Sequence, residues 1–155
     1  MYCVTCDVMS EMEIINGEGQ ILGRLASEVA KQLLRDKDKQ IVIVNAEHVI
    51  VSGSKQSLIE DYRRRRERGS REKGPYFPKM PDRVVRRAIR GMLPYKRQSG
   101  RDALSRLQVY LGIPQEYKDE AKKRIESAKA ERLSMAKYLT LGEVCKQLGW
   151  LPKQR

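Results

Sequence analysis

The chain has 155 residues, of which 40% are hydrophobic and 34% charged, and its formal net charge is +12. This length fits one domain that buries about 68–70% of its unfolded surface, and no apolar run approaches the roughly 18 residues of a membrane span. Asp7 and Glu11 lie near the N-terminus without any early Lys or Arg, which excludes a signal peptide and predicts a cytoplasmic protein.

The cysteines are odd in number. Cys3 and Cys6 have the spacing of a zinc half-site, but a structural zinc needs four ligands. Cys145 and the single histidine, His48, are not spaced as a second half-site, so we predict no metal. Residues 1–12 are interpreted as a disordered extension.

The first part of the domain alternates strand and helix signals. Residues 13–16 predict a short strand, and residues 40–45 form a continuous β-branched run, which is typical of a strand buried on both faces. Between these strands, apolar residues recur at the spacing of one helix face: Leu22, Ala26, Val29 and Leu33.

The intervening turn contains Gly17, Gly19 and Gly23. It resembles the G-x-G-x-x-G loop of dinucleotide-binding folds, but the third glycine comes one residue late and Leu22 occupies the position of closest packing. We favour a turn that needs glycine for its backbone freedom. A nucleotide-binding α/β enzyme is the alternative, although neither a catalytic triad nor a G-x-x-x-x-G-K-[ST] loop is present. We predict no catalysis and no cofactor.

Positive charge is concentrated in residues 55–101, which hold 16 Lys or Arg against 5 Asp or Glu and so carry +11 of the net +12. Ser54 is positioned to cap a helix that contains Leu58 and Tyr62 and ends in four consecutive arginines. Such a concentration of charge is the electrostatic footprint of nucleic-acid binding.

Residues 68–79 contain several Gly and Pro and show no periodicity, which predicts an irregular loop. Tyr76 and Phe77 within it fit two roles. They can stack on splayed RNA bases, or they can pack the loop onto the domain. We favour packing because the adjacent prolines indicate a fixed loop.

A helix follows, with Asp82 as its predicted cap and Pro94 beyond its end. Four arginines fall within one arc of about 100°, and we call Arg83, Arg86, Arg87 and Arg90 the arginine row. The other side of the helix is apolar. Because the row lacks acidic partners within its helix, an external polyanion is the favoured counterion; the alternative is a solvated basic face.

The remaining chain predicts further short elements. Ser99 and Asp102 have the spacing of a capping box. After them the pattern predicts a strand at 109–111, a charged, solvated helix at 116–132, a strand at 138–140 and a last helix with its apolar face at Leu141, Val144, Cys145 and Leu148.

Several segments, in this order and spacing, resemble the universal large-subunit ribosomal protein L-thirteen family in its archaeal and eukaryotic form: residues 23–27, 44–47, 74–75, 90–94, 100–101, 106–114 and 138–143. The resemblance implies a structural constituent of the large ribosomal subunit that supports its assembly. It also implies large-subunit rRNA and neighbouring ribosomal proteins as partners, without a membrane, a small-molecule substrate or catalysis. A free-standing RNA-binding translational regulator is the alternative.

The predicted fold is a three-layer α/β/α domain, residues 13–150, with a small, mostly parallel sheet, the basic loop-helix region 55–101, C-terminal helices and a tail at 151–155. The predicted RNA-binding residues are Arg63, Arg64, Arg65, Arg66, Arg68, Arg71, Lys73, Lys79, Arg83, Arg86, Arg87, Arg90, Lys96, Arg97 and Arg101, with Tyr76 and Phe77 as candidates for base stacking.

Overall fold

The computed structural model describes residues 12–70, 72–118, 120, 122–133 and 137–152. Most of the predicted N-terminal extension and the last three residues of the predicted tail lie outside this part. Its strands and α-helices are, in chain order, β1 (Met12–Asn16), α1 (Leu22–Arg35), β2 (Gln40–Val44), β3 (Ile50–Ser52), α2 (Lys55–Glu67), α3 (Pro81–Met92), α4 (Gln98–Ser105), β4 (Leu107–Val109), β5 (Tyr138–Thr140) and α5 (Leu141–Gln147).

A three-stranded parallel sheet forms the centre of the domain, with β2 between β1 and β4. Ile43 pairs with Ile15 on one side and with Val109 on the other. The β-branched run in β2 is buried, as a central parallel strand requires. β3 and β5 form a separate antiparallel pair. The predicted α/β class with a small, mostly parallel sheet is confirmed.

Two apolar clusters cover the faces of this sheet. On one side, α1 packs against α3 and α4, and the larger cluster includes Leu25, Val85 and Ile89. On the other side, Ile14, Val42 and Val44 pack with Tyr117 and the partly buried Tyr110. In the described part of the chain, no helix is both long enough and apolar enough to cross a membrane.

The predicted helix caps are correct in one case of three. The Ser54 hydroxyl accepts a hydrogen bond from the backbone N–H of Ser57 (3.3 Å), so it caps α2 as expected. The predicted Asp82 cap is wrong: Pro81 takes the first helical position, which its fixed φ favours, and Met80 precedes it as the N-cap. Asp82 therefore lies within the first turn, where its charge still favours the helix dipole.

The capping box predicted at Ser99 is also wrong, because α4 begins two residues earlier than that cap requires. Arg97 is the N-cap and provides no side-chain hydrogen bond. Ser99 consequently lies inside the first turn, and the Asp102 carboxylate accepts from the side-chain amide of Gln98 (2.8 Å). A local sequence signature cannot fix a helix start when the preceding turn sets it.

The helix predicted at 116–132 is wrong. The described residues there form short 3₁₀ turns at Gln115–Tyr117, Glu126–Ala128 and Ala130–Arg132. Backbone groups of this segment bond to other parts of the domain instead. The N–H of Lys123 donates to the carbonyl of Ile14 (2.9 Å), and the carbonyl of Ala128 accepts from the N–H of Ile21 (2.8 Å). Pairing at Lys123 covers the otherwise open edge of β1.

The glycine turn before α1 is a packed structural turn. A side chain at Gly17 would meet Val49 and the carbonyl of Val44, and Gly19 has a φ of +69°. Next to it, the N–H of Ala130 donates to the carbonyl of Gly19 (3.0 Å). The chain's own backbone therefore lies against this turn, which supports the interpretation of the glycines as structural.

Arg106 joins the end of α1 to the sheet. Its guanidinium donates to the carbonyls of Leu33 (2.9 Å), Asp36 (2.6 Å) and Lys39 (3.1 Å), which include the terminal carbonyls that a helix leaves unpaired. We expect Arg106→Gln to lower the free energy of unfolding by about 1–3 kcal/mol, because these acceptors lose a charged donor. Urea denaturation measures this loss; an unchanged midpoint would contradict it.

Cys145 lies on the buried face of α5, and burial, with a smaller contribution from the Asp82 charge, raises the pKa of its thiol from 9.0 to about 12. In a Cys3→Ser/Cys6→Ser background, we expect thiol reagents to label the protein only after unfolding. The neutral thiol is favoured in the folded state, so its contribution to stability is complete below pH 9.0 and is lost as pH rises towards about 12. Rapid labelling of the native protein would contradict this.

Candidate nucleic-acid interface

The two faces of α3 separate apolar from cationic side chains as the sequence predicts. Val84, Val85 and Ile89 are buried against the domain. All four members of the arginine row are exposed. The buried face holds the helix in place, and the row is presented outward from a rigid element.

A surface groove lies between α3 and α4, and we call it the α3–α4 groove. Two adjoining cavities of about 520 and 270 Å³ form it, and both are lined by Arg86, Arg90 and Leu104. The remaining lining residues are Pro78, Arg83, Arg87, Tyr95, Lys96, Arg101 and Ser105. The groove therefore brings together six of the predicted RNA-binding cations.

A close backbone contact holds the turn after α3 against α4 beside this groove. Gly100 is buried in α4, and a Cβ atom at this position would overlap the carbonyl group of Pro94. The turn after α3 therefore touches the backbone of α4 directly. A backbone hydrogen bond also closes this turn, because the N–H of Arg97 donates to the carbonyl of Pro94 (2.9 Å).

The groove cations are oriented by neutral groups. Arg86 donates to the carbonyl of Leu104 (3.4 Å), Arg101 donates to the carbonyl of Tyr95 (3.4 Å), and the Arg90 guanidinium lies 4.7 Å from the centre of the Tyr95 ring. Within the described residues, no Lys or Arg of the region 55–101 forms an ion pair with a carboxylate. These contacts restrict the side chains but leave their charge uncompensated.

Arg87 connects the arginine row to the preceding loop. It donates to the carbonyl of Tyr76 (3.0 Å), and its guanidinium lies 4.6 Å from the centre of the Phe77 ring. Phe77 packs edge-on against Tyr62, with ring centres 5.7 Å apart, so it anchors the loop to the domain as favoured from the sequence. Tyr76 is 67% exposed. Base stacking by either ring stays a prediction.

The other predicted cations lie outside the groove. Arg63, Arg64, Arg65, Arg66 and Arg68 are exposed at the C-terminal end of α2, and Lys73, Lys79 and Arg97 are exposed in loops. Arg66 also donates to the carbonyl of Leu148, which links α2 to the end of α5. Arg65 lies over the Tyr62 ring at 5.5 Å. Arg71 lies outside the described residues.

The sequence did not identify Tyr95, Leu104 and Ser105 as parts of this site. The available signal was Pro94, which ends α3 and turns the chain so that the Tyr95 ring returns beneath Arg90.

Comparison with known proteins shows to which family the chain belongs. The family model described as "Ribosomal protein L13" matches residues 10–116, which include all of α3 and α4. A "Large ribosomal subunit protein uL13" from Methanosarcina barkeri is 56% identical over 138 residues, covering 89% of this chain and 98% of the relative. Proteins of the same name from Methanococcoides burtonii and Archaeoglobus fulgidus are 52% and 45% identical, covering 89% and 90% of this chain and 98% and 89% of the relatives. The chain therefore belongs to the ribosomal protein L13 family.

Proposed function

We propose that this protein is a structural constituent of the large ribosomal subunit that binds large-subunit rRNA and supports subunit assembly. The observation that carries the proposal is the set of α3–α4 groove cations, which are held in place by carbonyls and rings rather than by carboxylates. Clustered like charges repel, and an RNA backbone supplies the anions that relieve this repulsion. The names of the archaeal relatives support the same assignment.

In this proposal, the groove cations make the main contacts with RNA phosphates. Arginine suits that role because its planar fork donates two parallel hydrogen bonds to one phosphate. The exposed arginines at the end of α2 and the loop cations Lys73, Lys79 and Arg97 extend the same basic surface. The α/β body holds α3 rigidly, so positioned RNA segments are kept together without any chemical step.

The salt dependence of binding tests this mechanism. If about eight phosphates are neutralised, the logarithm of affinity falls against the logarithm of salt concentration with a slope near −6 to −7. Filter binding with transcribed large-subunit rRNA at several salt concentrations measures the slope. A slope shallower than about −2 would contradict the proposal.

Sedimentation tests the ribosomal assignment separately. In a lysate of the native cells at low salt, the protein is expected to travel with large subunits on a sucrose gradient. High salt should release it, because the contacts are largely electrostatic. A protein found only in light fractions at low salt would instead favour an RNA-binding regulator that acts away from the ribosome.

A further inference from the structure

The α3–α4 groove contains more than cations. The Leu104 side chain and the Tyr95 ring, which is 42% exposed, line its larger cavity between the charged groups. Pro78 lines the smaller cavity. Phosphate neutralisation alone needs no apolar lining, because phosphate oxygens gain nothing from contact with carbon. The apolar surface therefore points to a second part of the ligand.

The size of the larger cavity fits a compact organic group. Its volume of about 520 Å³ falls within the roughly 300–1,000 Å³ of small-molecule pockets. Its lining residues come from α3, from the turn after α3 and from α4, and the backbone contact between Gly100 and Pro94 holds that turn against α4. A cavity of this kind is preformed and does not have to open for its ligand.

Its chemistry matches that of a nucleobase with flanking phosphates. Unstacked RNA bases are held by aromatic rings and by the flat faces of arginine guanidiniums. Here Arg90 already lies over the ring of Tyr95, which holds the guanidinium beside the apolar lining. Arg86, Lys96 and Arg101 lie around the same cavity and are positioned to contact phosphates on either side of one nucleotide.

We propose that the larger cavity of the α3–α4 groove receives one unstacked nucleotide of the bound RNA. The base lies against Tyr95 and Leu104, and the adjoining phosphates contact Arg86, Lys96 and Arg101. This inference rests on the proposed function, because the nucleotide belongs to the RNA that the basic surface binds. It adds recognition of a local RNA shape, an extruded base, to binding that otherwise depends only on charge.

Two RNA hairpins that differ by a single unpaired nucleotide test the inference. The unpaired position carries the fluorescent base 2-aminopurine, and the other hairpin is fully paired. Stacking tolerates any base, so a generic bulge is a suitable probe. We expect the wild-type protein to bind the bulged hairpin about tenfold more tightly, as stacking worth about 1–3 kcal/mol implies, and to quench its fluorescence.

A matched pair of variants locates the effect. Ser105 lines the larger cavity and is exposed, so Ser105→Trp fills the cavity without removing a cation. Ser99 is exposed on the same helix but does not line the groove, so Ser99→Trp is the control. Ser105→Trp should abolish the preference for the bulged hairpin, whereas Ser99→Trp should keep this preference and change affinity for the paired hairpin less than about twofold.

Tyr95→Leu provides a second route in case the tryptophan variant does not fold. It removes the ring while keeping an apolar side chain and every cation, and it should relieve the quenching. Equal binding of both hairpins by the wild type, or a preference that survives Ser105→Trp or Tyr95→Leu in the folded protein, would overturn the inference. Salt-dependent binding of both hairpins would then leave the proposed function standing, whereas loss of all salt dependence would count against the proposed function itself.

Discussion

Replacing Arg83, Arg86 and Arg90 together with Gln is expected to weaken binding to large-subunit rRNA by at least about tenfold and to flatten the salt slope by about 2–3. These side chains line the groove, and each lost phosphate contact removes somewhat less than one unit of slope. Arg87 is not substituted in this variant, because its contacts with Tyr76 and Phe77 hold the loop. Filter binding across several salt concentrations gives both quantities.

The matched control replaces Arg35, Lys37 and Lys118 with Gln. These residues are exposed and lie outside the basic region, so the variant loses the same three charges. Its slope should change by less than about 1. Equal losses in the two variants would mean that net charge, not the groove, drives binding. If the groove variant also melted at a much lower temperature than the control, the arginine row would be structural.

Ile89→Ala is expected to lower the free energy of unfolding by about 2–5 kcal/mol. Ile89 has no exposed surface and lies in the main core on the buried face of α3, so truncation leaves a cavity beneath the arginine row. Urea denaturation measures the loss, and the slope of the unfolding free energy against urea concentration should stay unchanged. Ile89→Val, which removes one methylene, should cost only about 0.5–1.5 kcal/mol and keep RNA binding.

Met92→Ala on the same helix is the comparison for this loss. Met92 is 45% exposed, and substitutions at such surface positions usually change stability by less than about 0.5 kcal/mol. If Ile89→Ala cost no more than Met92→Ala, α3 would not be anchored through its apolar face, and the rigid presentation of the arginine row would be wrong.

The sequence predicts those features that depend on local spacing. The two faces of α3 follow from residue positions on a helix, and the buried strand β2 follows from its β-branched run. The basic region follows from counting charges. The patterns of α3 and β2 are each complete within about a dozen residues, and the basic region is one continuous stretch of the sequence. The order and spacing of the matching segments add the resemblance to a family.

The features that the sequence did not predict depend on distant parts of the chain. Residues 116–132 show the charge pattern of a helix, but their backbone groups pair with β1 and the glycine turn, which local periodicity does not encode. The groove brings together Tyr95 from the turn after α3 and Leu104 from α4, and their separation depends on how the turn after Pro94 meets α4. Arg106 bonds to three carbonyls before β2, and no local pattern around it predicts these distant partners.

The contact between Gly100 and the carbonyl of Pro94 makes the position of the turn against α4 independent of the charged side chains that line the groove. Main-chain atoms act as a fixed spacer, whereas side chains supply the charges along the rim. Under the proposed function, exchanging the charged side chains therefore changes the affinity for RNA while the main-chain contact between the turn and α4 stays the same.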